Sequence, residues 1–160
     1  PLAIGHEQTI SQPYLVAYMT KALDIRPTDL FLEIVTCSGY QTAVLAYLAK
    51  EVYTIERIAR LQNKAKIVLD ELKFSNISYL CTDGHKGWAE HAPFDKICIT
   101  AAPYEIPKDL ITQLANKGKM VLPVGQTYFQ ELIVVSKLRG KISKKTCFPC
   151  RFVPLVKDDE

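Results

Sequence analysis

Three acidic residues at the ends of three successive predicted strands are the groups best placed for chemistry. Glu33 lies near the end of the first buried apolar run, Glu56 ends the second, and Asp83 follows the third. Taken singly, each would be more typical of a helix cap or a surface charge. In a parallel α/β sheet, however, such ends meet at one crevice, where a nucleotide-type cofactor binds. Three carboxylates there suit a ribose, an adenine amino group and an ammonium, and they suit a pyrophosphate poorly.

Alternating helical and strand patterns place these acidic residues along one sheet. Apolar residues at helical spacing alternate with short, near-continuous apolar runs. The pattern predicts helices at 13–23, 39–49, 57–72 and 107–114, and strands at 30–35, 52–55, 77–81, 96–100, 120–124, 131–138 and 150–156. The chain has no linker, repeat or low-complexity segment, so we expect one domain over 1–160. This order predicts an α/β fold: a doubly wound, mostly parallel sheet with helices on both faces and an antiparallel C-terminal edge.

The composition excludes several other classes of protein. With 48% hydrophobic and 23% charged residues the chain is typical of a globular domain, and no apolar run is long enough to cross a bilayer. Its five cysteines predict buried, reduced thiols in a cytoplasmic protein. The formal net charge is only +3. The basic cluster around Gly140 is best explained as a solvated hairpin turn, so we expect no nucleic-acid partner and no membrane partner.

Longer motifs add a specific resemblance. Residues 4–14 are Ile-Gly-His-Glu-Gln-Thr-Ile-Ser-Gln-Pro-Tyr, and residues 151–155 are Arg-Phe-Val-Pro-Leu. Together with 33–41, 53–57 and 82–84, they resemble the protein-L-isoaspartate (D-aspartate) O-methyltransferase family over essentially the whole chain. The resemblance implies the Rossmann-like fold of class I methyltransferases that use S-adenosylmethionine. The family also has a helical segment before the position of Pro1, which we expect this chain to lack.

The resemblance implies an activity and a set of site residues. The reaction would be methyl transfer from S-adenosylmethionine, leaving S-adenosylhomocysteine, to the carboxylate of L-isoaspartyl and D-aspartyl residues in damaged proteins and peptides. The ester would then collapse to a succinimide without the enzyme, which begins repair. Ser11 would be the active-site serine. The residues implied to hold the cofactor are Thr9, Glu33, Thr36, Ser38, Gly39, Glu56, Asp83 and Gly84. Those implied to hold the substrate are Gln8, Thr9, Ile10, Ser11, Val153, Pro154 and Leu155. We expect a monomer.

This chemistry asks little of the protein beyond positioning. An isoaspartyl carboxylate has a pKa of about 4, so it is ionised at neutral pH without a general base. The chain accordingly has no Ser-His-Asp ordering, and its three histidines lack metal-ligand spacing, so we expect no metal. Ser11 would act through hydrogen bonds, and it also suits the N-cap of the helix that begins near Pro13. The two roles are compatible.

Two residues depart from the family pattern in the cofactor loop. Val35 and Cys37 stand where the family has glycine, and only Gly39 remains. A negative φ at Val35 would push its side chain toward the cofactor, whereas a shifted loop would keep a weaker site. The alternative function is therefore a non-catalytic relative that keeps the fold and a peptide groove. A dinucleotide oxidoreductase is disfavoured because the loop lacks GxGxxG. The Cys147–Cys150 pair is not expected to be a redox motif, because it precedes an extended segment rather than a helix.

Overall fold

The computed structural model describes residues 3–5, 8–9, 13–126 and 128–157. Two short strands, β1 and β2, form a small antiparallel sheet of their own. The elements are β1 (Ala3–Gly5), β2 (Gln8–Thr9), α1 (Pro13–Leu23), β3 (Leu30–Ile34), α2 (Tyr40–Leu48), β4 (Glu51–Glu56), α3 (Ala59–Glu71), β5 (Ile77–Cys81), β6 (Phe94–Ile99), α4 (Lys108–Gln113), β7 (Leu114–Gln126), β8 (Phe129–Leu138) and β9 (Lys141–Cys150). No helix in the described ranges is long and apolar enough to span a membrane.

The main sheet confirms the predicted α/β fold. Its seven strands follow the order β5-β4-β3-β6-β7-β8-β9. The first five of these strands run parallel, and β8 and β9 add an antiparallel edge. The chain order reverses beside β3, because β4 pairs on one side of it and β6 on the other. A crevice at the carboxyl end of β3 is therefore the place where this topology binds ligands.

The interior strand β3 has one layer of the core on each of its two faces. Successive side chains of a strand point to opposite faces. Phe31 accordingly packs with α1 and α2 residues such as Met19 and Leu45, whereas Leu32 and Ile34 pack with α4 residues such as Leu110. Helices thus cover both faces, which explains why β3 is a near-continuous apolar run.

The last predicted strand is wrong. The final strand is β9, at Lys141–Cys150, and the segment 151–157 leaves the sheet and makes one bridge, between Pro154 and Ala102. β9 lies at the sheet edge and carries exposed lysines. It therefore lacks the apolar pattern from which the other strands are predicted. The predicted turn is present at Arg139 and Gly140, whose φ values are 51° and 75°. The cysteine pair Cys147–Cys150 accordingly ends a strand rather than beginning one.

Candidate functional site

The loop after β3 keeps a glycine-type backbone without the glycines. Val35, Cys37 and Gly39 have φ values of 77°, 54° and 80°. The backbone N–H of Val35 donates to Ile55 O at 2.8 Å, and Thr100 Oγ1 donates to Val35 O at 2.9 Å. These hydrogen bonds with Ile55 and Thr100 hold the loop in this conformation, although valine prefers a negative φ. A β-branched residue at such a φ costs on the order of 1–3 kcal/mol.

The structure contradicts one of the two expectations for Val35, that of a negative φ. The residue does not take a negative φ, and its backbone bonds tie the loop to β4 and to Thr100 after β6. Its side chain lines the crevice at the end of β3 together with Ile34 and Ile55. A valine side chain thus stands where glycine would leave only hydrogen, which narrows the crevice.

Glu56 lies at the end of β4 and joins the loop to the crevice. It is buried, and its Oε2 accepts the backbone N–H of Cys37 at 2.9 Å. Its Oε1 accepts the backbone N–H of Ile58 at 3.0 Å. Each carboxylate oxygen can accept more than one hydrogen bond. The two backbone donors therefore fix the carboxylate in the crevice wall and leave it able to accept the hydroxyls of a ligand.

Glu33 is fully buried one layer below the loop. Its Oε2 accepts the hydroxyls of Thr42 at 2.5 Å and of Thr54 at 2.7 Å, whereas its Oε1 has no hydrogen-bond partner in the part of the chain that the structure describes. Burial raises the pKa of this carboxyl to about 7, although both threonine hydrogen bonds lower it. Thr36 is also buried, with its hydroxyl 2.7 Å from Thr54 Oγ1. Both residues thus belong to a buried hydroxyl network that supports the loop.

Asp83 and Gly84 follow β5 on the next wall of the crevice. Asp83 Oδ1 accepts the backbone N–H of His85 at 2.8 Å and lies 2.8 Å from His85 Nδ1. A Cβ added to Gly84 would overlap Cγ2 of Ile34. The missing side chain at Gly84 therefore lets this wall pack directly on β3, and Gly84 itself lines the crevice.

Ser38 and Gly39 form the turn into α2. The Ser38 Oγ accepts the backbone N–H of Tyr40 at 3.4 Å, and Gly39 is the N-cap residue of α2. A Cβ on Gly39 would lie 3.1 Å from Cβ of Ala65 on α3. Glycine is thus required at position 39 because φ is positive there and because a side chain would crowd α3. Neither reason involves a ligand close to the Gly39 backbone.

The C-terminal strap, defined as residues 151–157, closes the crevice. Val153 O accepts the backbone N–H of Ala102 at 2.7 Å, and the backbone N–H of Leu155 donates to Ala102 O at 2.8 Å. Residues 153–156 line the crevice opposite Glu56 and Gly84. The remaining cavity measures about 50 Å³, which holds one or two water molecules. The strap and Val35 therefore narrow the space that is open to a ligand.

Part of the predicted substrate site falls outside the described residues. Ile10 and Ser11 lie there, and Gln8 and Thr9 are placed only by the pairing of β2 with β1. The strap residues Val153, Pro154 and Leu155 do lie at the crevice. Among the residues that the structure describes, no group of three or more His, Cys, Asp and Glu could hold a metal ion.

Several supporting residues were missed by the sequence reasoning. Thr42, Thr54 and Thr100 hold Glu33 and the loop, and Gln130 holds the strap. Thr54 gave a usable signal, because it is a polar residue in the middle of a buried strand. Thr42 lies close to the loop, in the first turn of α2, whereas Thr100 and Gln130 lie far from the loop and the strap in sequence and are brought there only by the folded topology.

A family model and the similar curated proteins identify one family. The family model described as "Protein-L-isoaspartate(D-aspartate) O-methyltransferase" matches residues 1–160. The protein-L-isoaspartate O-methyltransferase of Gloeobacter violaceus is 49% identical over 159 residues, which cover 99% of this chain and 78% of the relative. That of Dictyoglomus turgidum is 51% identical over 154 residues, covering 96% and 70%. A Plasmodium falciparum protein described as a candidate member, crystallised with S-adenosyl-L-homocysteine, superposes with a TM-score of 0.87 at 26% identity and covers 99% of this chain and 80% of that one.

Proposed function

Because the chain belongs to the protein-L-isoaspartate(D-aspartate) O-methyltransferase family, we propose that it methylates the carboxylate of L-isoaspartyl and D-aspartyl residues in damaged proteins and peptides. The family match over residues 1–160 carries this conclusion, and the crevice at the carboxyl end of β3 supports it. The methyl ester then collapses to a succinimide without further help from the protein, and its hydrolysis returns some normal aspartate.

The residues around the crevice fit S-adenosylmethionine. Two backbone N–H groups fix the Glu56 carboxylate at the crevice, which supports its predicted role as an acceptor for ribose hydroxyls, and Gly84 lines the same crevice. Glu33 keeps one buried oxygen, Oε1, without a partner among the described residues, but it lies below the crevice, so its predicted contact with the ammonium group of the cofactor stays a prediction. Bound S-adenosylmethionine would supply a methyl group on a sulfonium, an electrophile with a good leaving group. Asp83 stands beside Gly84 and supports the predicted adenine contact.

The side chains of the protein act by positioning and by excluding water. The substrate carboxylate is ionised at neutral pH, so no residue has to remove a proton. Ser11 would orient that carboxylate by hydrogen bonding, and Gln8 to Ser11 would hold the substrate backbone together with Val153, Pro154 and Leu155. Holding the reacting groups in line, in a closed crevice, accounts for most of the acceleration that such a reaction needs.

The oligomeric state, the partners and the cellular location belong to the same proposal. We expect a monomer that acts on proteins and peptides and has no nucleic-acid partner. The cytoplasmic location is proposed from the five free thiols, although the expectation that they are buried is wrong for all but Cys98, and Cys81 is exposed. Size-exclusion chromatography with light scattering tests the monomer, since a dimer mass would contradict it.

A methyl-transfer assay tests the activity directly. Two peptides of one sequence, containing either isoaspartate or normal aspartate, are incubated with the protein and S-adenosylmethionine, and the added methyl group is detected by mass spectrometry. We expect methylation of the isoaspartyl peptide and none of the aspartyl control. Narrowing of the crevice by Val35 favours one alternative, a non-catalytic relative. Unmethylated isoaspartyl peptide would support that alternative and contradict the proposal.

A further inference from the structure

We propose that Gln130 is a positioning residue for this reaction, because it holds the C-terminal strap over the crevice and thereby places Val153–Leu155 against the substrate. The part of this inference that concerns the substrate rests on the proposed function. The part that concerns the strap rests on geometry alone.

The Gln130 side chain bonds one strap residue twice. Its Oε1 accepts the backbone N–H of Phe152 at 2.6 Å, and its Nε2 donates to Phe152 O at 3.0 Å. Gln130 is only 3% exposed, so water does not compete for these bonds. A carboxamide side chain offers a donor and an acceptor side by side, which matches the two backbone groups of a single residue. Substitution of Gln130 by an apolar residue would leave both backbone groups of Phe152 without this partner.

The bonded residue lies directly before the part of the strap that lines the crevice. Phe152 is followed by Val153, whose carbonyl accepts from Ala102, and by Leu155, whose N–H donates back to Ala102. Side chains of the strap are exposed or only partly buried. Phe152 and Leu155 pack in part against the core, and the bonds to Gln130 and Ala102 fix the backbone of the strap. Since Ala102 contributes only backbone groups, Gln130 is the member of the pair that a substitution can test.

A second glutamine provides a matched control. Gln113 Oε1 accepts the backbone N–H of Trp88 at 2.8 Å, and its Nε2 donates to Lys86 O at 2.7 Å. It is 7% exposed, so it makes the same kind of buried double bond, but to the loop at 86–88 rather than to the strap. Comparing the two glutamines separates loss of a buried amide from loss of the strap's position.

The experiment compares Gln130→Met with Gln113→Met in the full chain. Hydrogen exchange followed by mass spectrometry reads the backbone N–H groups of 151–156. Steady-state kinetics with an isoaspartyl peptide at saturating S-adenosylmethionine reads KM and kcat. For Gln130→Met we expect faster exchange in 151–156 and a KM roughly tenfold higher, the size expected for two lost hydrogen bonds, with a smaller change in kcat. For Gln113→Met we expect unchanged exchange in 151–156 and an unchanged peptide KM.

A second substitution keeps the test decisive if Gln130→Met does not fold. Gln130→Glu retains the size of the side chain and the acceptor for Phe152 N–H, but it replaces the donor with an oxygen that faces Phe152 O. We expect the same rise in exchange and in KM.

If hydrogen exchange in 151–156 is unchanged in both Gln130 variants, Gln130 does not hold the strap in place. Faster exchange with an unchanged KM would overturn its role toward the substrate. An inactive wild-type chain would contradict the proposed function, and the exchange measurement would still decide whether Gln130 holds the strap.

Discussion

The buried carboxyl of Glu33 makes the stability of the protein depend on pH in a predictable direction. Burial raises its pKa from the ordinary 4.5 to about 7 in the folded chain. The unfolded chain releases this proton at lower pH, so the stability contributed by the group is full below about pH 4.5 and is lost as the pH rises through about 7. The gap between the two pKa values corresponds to roughly 3 kcal/mol.

Substitution Glu33→Gln removes this dependence. The amide oxygen can still accept the hydroxyls of Thr42 and Thr54, but the side chain no longer titrates. Urea unfolding is measured at about pH 5 and about pH 8, and the wild type is expected to lose roughly 2–3 kcal/mol relative to the variant between them. Glu71→Gln, an exposed change on α3, serves as the control and should follow the wild type. If the free energy of unfolding of the wild type and that of Glu33→Gln change by the same amount between the two pH values, Glu33 does not have a raised pKa.

Three further predictions concern the walls of the crevice. Val35→Gly removes the strain of a positive φ at a valine and widens the crevice. Calorimetry should therefore show S-adenosylhomocysteine binding about tenfold more tightly. Equal or weaker binding would contradict the inference that the Val35 side chain narrows the crevice. Burial raises the pKa of the Cys37 thiol to about 11. Alkylation near neutral pH should therefore be much slower at Cys37 than at the exposed Cys81, and equal rates would contradict the raised pKa. Gly84→Ala forces a methyl group onto Ile34, so thermal melting should show a lower Tm, and an unchanged Tm would show that the contact relaxes freely.

The sequence predicted best those elements whose apolar spacing and end signals agree. The first helix was predicted at 13–23 and is observed at Pro13–Leu23, because Pro13 suits its first turn and the apolar face is continuous. The last strand was missed for the opposite reason. Lysines of β9 suit an exposed edge, so the strand shows no apolar run, whereas the apolar residues that follow belong to the strap.

The site was predictable at the level of residue types and less so at the level of contacts. Glu56 and Gly84 line the crevice, as their positions at strand ends indicated. Glu33 lies below the crevice because Thr42 and Thr54 hold it inside the core. The φ of Val35 was not predictable from local sequence, since backbone and hydroxyl partners on distant strands impose it.

Titration of the purified chain with S-adenosylhomocysteine in a calorimeter tests the central claim most directly. The crevice residues Glu56 and Gly84 are proposed to hold this nucleoside beside the strap and Val35. We predict saturable heat with one ligand per chain, together with a rise in Tm, and weaker binding for Glu56→Ala. The absence of both heat and thermal shift at about millimolar ligand would contradict the account, because it corresponds to a binding free energy weaker than about 4 kcal/mol.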